Sequence, residues 1–447
     1  MSDKSEAAPP EPAPYDLRAG WTAVVIFLLL YALGWLDRKI IAFLVDPIRH
    51  SLHVTDFQVS LLQGVAAVIF YPLFALPIGW MVDRFSRRRI IFWGLIVWSM
   101  FAIASGLTKN FAQLLMARVG VSVGDSTLQP ATSSALADLF PKEKLTTAMA
   151  VFGLGGILGS AIAVALSGVV VGFTQSSPGY NLPIVGFVEP WQFVFIVTGA
   201  PGLLMGFLLF LIPEPVRRRR GLVWQQVDGK GFGGAIGYML AHKRFYLSHF
   251  IGFSAVAIMG ATLTAWTPAH FTRTYGLPVA QVGLTMGAIQ ISLGAIGMAG
   301  PGFIIDRMIR RGHLDAHLWY FAFAAVVLGL SGIGMGLAPN AGSAFVGLAF
   351  LDLSVGYFPV AAAALQVVTP NRYRGQVTAT FLIFLSVIGQ GLGPSITAAF
   401  TDFLFKDDHK VGASIALTYA VCMPIAAVCL WYGRRGMRVA HEASDTA

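Results

Sequence analysis

The sequence predicts an all-α polytopic membrane protein with twelve transmembrane helices in two homologous six-helix halves. Three observations carry that prediction. Apolar runs of span length recur along the whole chain, basic loops alternate with nearly uncharged ones, and a loop motif of the first half returns in the second.

Of the 447 residues, 56% are hydrophobic and only 12% are charged, about half the charged fraction of a soluble domain. Runs of about 18 or more apolar residues are long enough to cross a bilayer. Twelve can be placed, at roughly 20–46, 57–82, 90–107, 111–138, 144–172 and 190–213, then roughly 246–274, 278–305, 315–337, 341–367, 372–403 and 411–434. The runs lack period-two alternation, which excludes a transmembrane β-barrel. The domain plan that follows is a disordered tail over 1–18, a six-helix bundle over 19–213, a linker over 214–245, a second bundle over 246–434 and a tail over 435–447. The first tail is Pro-rich and acidic with no apolar core, so it does not read as a signal peptide. The linker is basic and offers a short amphipathic helix near residues 230–242.

Charge placement sets orientation. Loops after even-numbered spans carry "DRFSRRR", "PEPVRRRR", "DRMIRRGH" and "PNRYRG", whereas the loops on the other side are nearly bare. That bias predicts a cell (inner) membrane protein with both termini cytoplasmic. It also accounts for the net charge of +9 without nucleic acid as a partner. Cys422 and Cys429 are the only cysteines, both in the last apolar run, so neither a disulfide framework nor a zinc site is expected, and no cofactor is implied. H-E-x-x-H and the P-loop do not occur, and the one G-x-S-x-G match, Gly120 to Gly124, lies inside a long apolar run rather than at the strand-to-helix turn that motif needs, so the chain does not read as an enzyme.

The repeat is the third observation. Gly79, Asp83, Arg84, Arg87 and Arg88 spell G-x-x-x-D-R-x-x-R-R after span two. Gly302, Asp306, Arg307, Arg310 and Arg311 spell it again after span eight. "LFPKEKLTTAMA" after span four aligns with "VTPNRYRGQVTA" after span ten, and Gly155/Gly159 in span five aligns with Gly389/Gly393 in span eleven. Three correspondences in register argue for two homologous halves.

On these motifs the chain resembles the major facilitator superfamily over nearly its whole length. Asp37-Arg38 in span one and "GVSVGDSTLQPATSSALADLFP" in span four are similar to the Spinster branch, with Asp125 standing where that branch usually has Glu. Organic-anion symporters of the superfamily also carry Asp-Arg in span one. The resemblance implies the major facilitator fold and a secondary transporter of amphiphilic lipids, working by alternating access. It also implies that the paired loop motif is a gating latch, its Asp meeting a neighbouring helix N-terminus and its arginines pairing across the cytoplasmic face.

Three charges, Asp37, Arg38 and Lys39, lie inside the first apolar run, where each costs at least ~2.5 kcal/mol. Counting from the span ends, Asp37 lies ~13 Å and Arg118 ~10 Å from the outer side, so the two are placed to neutralise one another. Asp125 sits two turns beyond Arg118 on nearly the same face, too far along a straight helix to touch it. Asp352 in span ten adds a carboxylate from the other half. This reading makes Asp37 and Asp125 the proton-coupling groups, and Arg38, Arg118 and Asp352 the substrate-binding ones. A purely structural ion pair is the rival account of Asp37 and Arg118, and a locally capped polar residue that of Asp125 and Asp352. Lys39 is 200° around the helix from Asp37 and reads as a snorkelling or interhelical residue. The partners are then an amphiphilic substrate, protons and membrane lipids, with the protein a monomer. A symporter of small organic anions and a non-transporting membrane sensor are the rival functions.

Overall fold

In the computed structural model, residues 15–183, 185–212, 214, 231–353, 356–370 and 373–445 are described. Residues 1–14 of the expected tail, residues 215–230 of the expected linker and the Asp83 side chain lie outside that set. Among the described residues, ten helices are long and apolar enough to cross a membrane. Two further segments, 56–84 and 111–139, are each broken into shorter helices. Together they make twelve spans in chain order.

Span one is Leu17–Ile40, running on through a 3-10 turn to Phe43. Span two is Asp56–Gln63 plus Val65–Arg84, span three Arg87–Ser105, and span four Phe111–Asp125 plus Leu128–Leu139. Span five is Lys142–Thr174 and span six Pro190–Met205. A small antiparallel hairpin, Tyr180–Leu182 with Gly186–Val188, joins those two. The second half comprises Lys243–Tyr275, then Val279–Arg310 with a π-helical turn at Gln290–Gly294, then Ala316–Gly336. Span ten is Ala341–Asp352 plus Tyr357–Val368, span eleven runs over Arg374–Phe405 with two π-helical stretches, and span twelve is Val411–Asp445. A short helix, Gly231–Ala241, precedes span seven.

The break in span four departs from the single straight helix expected over 111–138. Its cause is Pro130. Proline has no N–H to offer the Ser126 carbonyl and its ring crowds that carbonyl. The Ser126 and Thr127 hydroxyls turn back instead onto the carbonyls of Val123 and Gly124, each at 2.7 Å. Span ten breaks in the same way ahead of Pro359. In both spans the first piece opens on an asparagine cap (Asn110, Asn340) and closes on an aspartate (Asp125, Asp352).

The aligned glycine pairs also have matching surroundings. Gly155 and Gly159 pack span five against Leu28 and Ala32 of span one, and Gly389 and Gly393 pack span eleven against Ala257 and Ala261 of span seven. A β-carbon at Gly389 would lie 2.4 Å from that of Ala257, so the helices meet at a distance only glycine permits.

Three apolar cores result. One lies wholly within the first half, around Phe27, Trp98 and Phe140, and one wholly within the second, around Phe245, Phe321 and Phe381. The third is shared, with Phe43, Trp191 and Phe195 of the first half beside Trp266, Phe271 and Tyr419 of the second. The private cores sit toward the face that carries the termini, and the shared core toward the opposite face. In lipid, close packing rather than escape from water holds such surfaces together. Gly168 of span five and Gly283 of span eight make part of that seam, a β-carbon on Gly168 falling 2.7 Å from the Gly283 Cα.

Candidate functional site

Successive residues of an α-helix point about 100° apart, and the three charges of span one use this to reach three different partners. Asp37 turns to span four, where Arg118 Nη2 donates to its Oδ2 at 2.7 Å. Both residues are buried, at 3% and 5% exposure, and the Arg118 guanidinium also lies 5.0 Å over the Phe195 ring. Removing either partner would leave an uncompensated buried charge, a loss of about 3–5 kcal/mol.

Arg38 reaches down the same span four to Asp125, with Nε donating to Oδ2 at 2.9 Å and Nη2 paired to the same oxygen. Arg38 is exposed and Asp125 partly buried, so this pair lines open space whereas Asp37–Arg118 does not. The sequence reading left Asp125 without Arg38. The depths of the two Cα atoms differ, and the long arginine side chain spans the difference.

Lys39 turns the other way, across to the second half. Its Nζ donates to Thr264 Oγ1 at 3.3 Å and lies 5.6 Å from the Trp35 ring. Lys39 and Asp352 line one cavity of about 40 Å³, with Thr264, Gln290, Phe43 and Met286 among the residues around it. Asp352 is 6% exposed. Among the described residues it accepts no hydrogen bond and forms no ion pair. Gln290 lies on the π-helical turn of span eight and donates to Ser160 Oγ at 3.3 Å. Thr264 and Gln290 were not singled out from sequence; a lone Gln in an apolar run was the available signal.

A second charge cluster closes the opposite face. Arg273 of span seven donates to Asp46 Oδ1 at 2.8 Å and to both Asp56 oxygens at 2.7 and 2.9 Å. Arg49 adds contacts to Asp56 at 3.1 Å and to Asp408 at 2.8 Å. Asp56 is fully buried. Asp46, Arg49 and Asp56 belong to the first half and Arg273 and Asp408 to the second, so the cluster ties the halves together above the shared core. The sequence reading counted Arg49 and Arg273 only as sparse charges of the bare side.

The repeated loop motifs lie at the terminal face. Gly79 and Gly302 have open space where a side chain would stand. Arg84 is exposed and lies 4.0 Å over the Trp80 ring. Arg87 is buried and pairs with Asp138 at 2.7 Å, and its backbone N–H donates to Glu214 at 3.0 Å. Arg88 donates to the Ile212 carbonyl at 3.0 Å. These partners lie in the first half or, for Glu214, at the start of the linker, and none is in the second half. Asp306, Arg307, Arg310 and Arg311 are exposed, and none forms an ion pair among the described residues. Among the described residues, then, the motif arginines form no ion pair from one half to the other at this face. The second half has a different terminal-face cluster, in which Arg434 and Arg438 donate to Asp315 Oδ2 at 2.6 and 2.9 Å. Burial pushes the Asp315 carboxyl up, but the Arg438 and Arg434 hydrogen bonds outweigh it and hold the group below the usual carboxylate range.

This geometry can be set beside known proteins. The profile of the Major Facilitator Superfamily matches residues 27–394. An MFS-type efflux pump of Mycolicibacterium smegmatis is 26% identical over 422 residues, 93% of this chain and 92% of the pump. Protein spinster of Drosophila melanogaster is 24% identical over 413 residues, 90% of this chain and 65% of the fly protein. Among solved structures, a bacterial homolog to the human lysosomal transporter Spinster, inward-facing and unoccupied, superposes with a TM-score of 0.76 at 23% identity, covering 96% of this chain and 98% of that one. At that identity the likeness speaks for the fold.

Proposed function

The chain belongs to the major facilitator superfamily, and we propose that it is a secondary active transporter that moves an amphiphilic, lipid-like substrate by alternating access, with protons as the coupling ion. It acts as a monomer in the cell (inner) membrane with both termini cytoplasmic, so the terminal face is the inner one and the conformation described is inward-facing. The observation that carries the reading is the division of the core: each half keeps a private core at the terminal face, and the two share one at the opposite face. Two rigid bodies hinged on a common seam are what alternating access requires.

The lipid-like substrate is supported by the spinster relative and by the Trp35 ring 5.4 Å from the Arg38 guanidinium. Asp37 and Asp125 are the proposed proton sites. Taking up a proton releases its arginine, Arg118 or Arg38, for an anionic or zwitterionic head. One proton moving through 100 mV supplies ~2.3 kcal/mol, enough for roughly 50-fold accumulation. The motif residues Asp83 and Asp306 serve as the latch that forms when the inner face closes. A second reading, a symporter of small organic anions, is favoured by one feature: the cavity between Lys39 and Asp352 is only about 40 Å³ and has Lys39 in its wall.

The test is flux into proteoliposomes under an imposed pH gradient, across a panel of lysolipids and small organic anions. Gradient-driven lysolipid uptake upholds the first reading and uptake of anions alone the second. Binding without flux of any probe makes the protein a sensor and overturns both.

A further inference from the structure

Spans four and ten occupy equivalent places in the two halves, and each ends its first piece on an aspartate. The two aspartates differ in what meets them. Asp125 has its cation, Arg38. Asp352 is 6% exposed, lines the cavity it shares with Lys39, and among the described residues has neither a hydrogen-bond donor nor an ion-pair partner. Its carboxylate oxygens open onto that cavity, where a ligand or water can meet them. Across the same cavity Lys39 carries the opposite charge from the other half and spends one hydrogen bond on Thr264.

We propose that Lys39 and Asp352 form a recognition site for a zwitterion, with the ligand's acid group on Lys39 and its ammonium on Asp352. In the first half the protein's own guanidinium neutralises Asp125; in the second, the ligand's cation does the same for Asp352. Thr264 and Gln290 supply hydrogen bonds between the two charges, and Phe43 and Met286 supply apolar wall. The cavity of about 40 Å³ holds about three waters while Lys39 is folded onto Thr264. Its flexible four-carbon stem lets the ammonium swing away and enlarge the space. Because the two charges belong to different halves, a bound zwitterion bridges them and favours the conformation in which they are close. A ligand with one charge engages one half only.

The inference rests on the transport reading for the ligand's route but not for its chemistry, so the test separates the two. Affinity is measured by calorimetry on full-length protein in nanodiscs. The probes are lysophosphatidylethanolamine, lysophosphatidylglycerol as the anion matched in tail, and glycerophosphoethanolamine as the zwitterion without a tail. Wild type should prefer the zwitterionic lysolipid over the anionic one by about tenfold or more, the value of one charged hydrogen bond. Asp352→Asn should abolish that preference without weakening the anion, and Lys39→Gln should weaken both. The exchanged pair Lys39→Asp/Asp352→Lys should recover the preference. Tail-free zwitterion binding as tightly as the lysolipid would uphold the site and sink the amphiphile reading. Equal affinity of wild type for both lysolipids, or no binding of any zwitterion, overturns the site even if a variant fails to fold.

Discussion

Arg273→Gln is the perturbation that reaches furthest into the proposed cycle. Arg273 is the second half's main hold on the first at the opposite face. It makes three charged contacts within 2.9 Å, one to Asp46 and two to Asp56. A charged hydrogen bond contributes about 1.5–3 kcal/mol, but the three are not additive. Asp46 is one-third exposed on its side chain and its contact is correspondingly screened. Asp56 is buried but keeps Arg49 at 3.1 Å. A net loss of about 3 kcal/mol follows, nearly all from the Asp56 contact. Because the contacts join two halves that must separate, the loss falls on the conformation rather than on the fold of either half, and changes the closed-to-open ratio by roughly 100-fold. Spin labels at Lys109 and Leu337, exposed positions on the opposite face of each half, should report it as a longer distance. Labels at Arg89 and His313 on the terminal face should move closer. Both pairs must be read on protein that remains monodisperse. An unchanged Lys109–Leu337 distribution in folded Arg273→Gln protein would refute the claim that this cluster holds the face shut.

Three further outcomes follow from the geometry. Asp37→Asn should abolish proton-driven flux and leave ligand binding measurable, whereas a merely structural pair predicts that single variants at Asp37 or Arg118 lose folded protein, by about 3–5 kcal/mol, and that Asp37→Asn/Arg118→Gln recovers it; thermal unfolding and flux on the same proteins decide. Asp315 has a folded-state pKa below its unfolded value, so its stabilisation is complete above the unfolded carboxylate pKa of about 4 and fades as pH falls through the lower folded one; unfolding temperatures between pH 6 and pH 3 should show a drop that Asp315→Asn lacks. Gly168→Leu should wedge spans five and eight apart at the seam with Gly283, opening the opposite face to labelling at a cysteine placed near Ser51, and unaltered labelling would show that the seam repacks instead.

Much of this was legible from residue order alone. Span positions follow from apolar run length, and the facing of Asp37 and Arg118 from counting rises along two helices. The aligned glycines proved to occupy equivalent packing sites. Less legible were features that depend on side-chain reach or on a second chain segment. Arg38 meets Asp125 because a long side chain covers a difference in depth that backbone counting treats as separation. The break after Asp125 was available in Pro130, whose effect falls four residues upstream of itself. The Arg273 cluster draws on four segments, and no local pattern joins residues 46, 49, 56, 273 and 408. Lys39 was read as a snorkelling residue because its helical angle was compared only with Asp37; its face looks at the other half.

The two broken spans also shape the field at the centre of the protein. A helix carries about half a negative charge at its C-terminus, and the first piece of each span ends there, at Asp125 and Asp352. In span four only two residues separate that end from Leu128, where the next helix begins, so its positive end lies close and cancels much of the effect. In span ten the second piece begins at Tyr357. Each half still sets a helix C-terminus beside its aspartate, a backbone dipole that favours cations over anions. Polarity of this kind is written into the main chain and needs no further charged side chain.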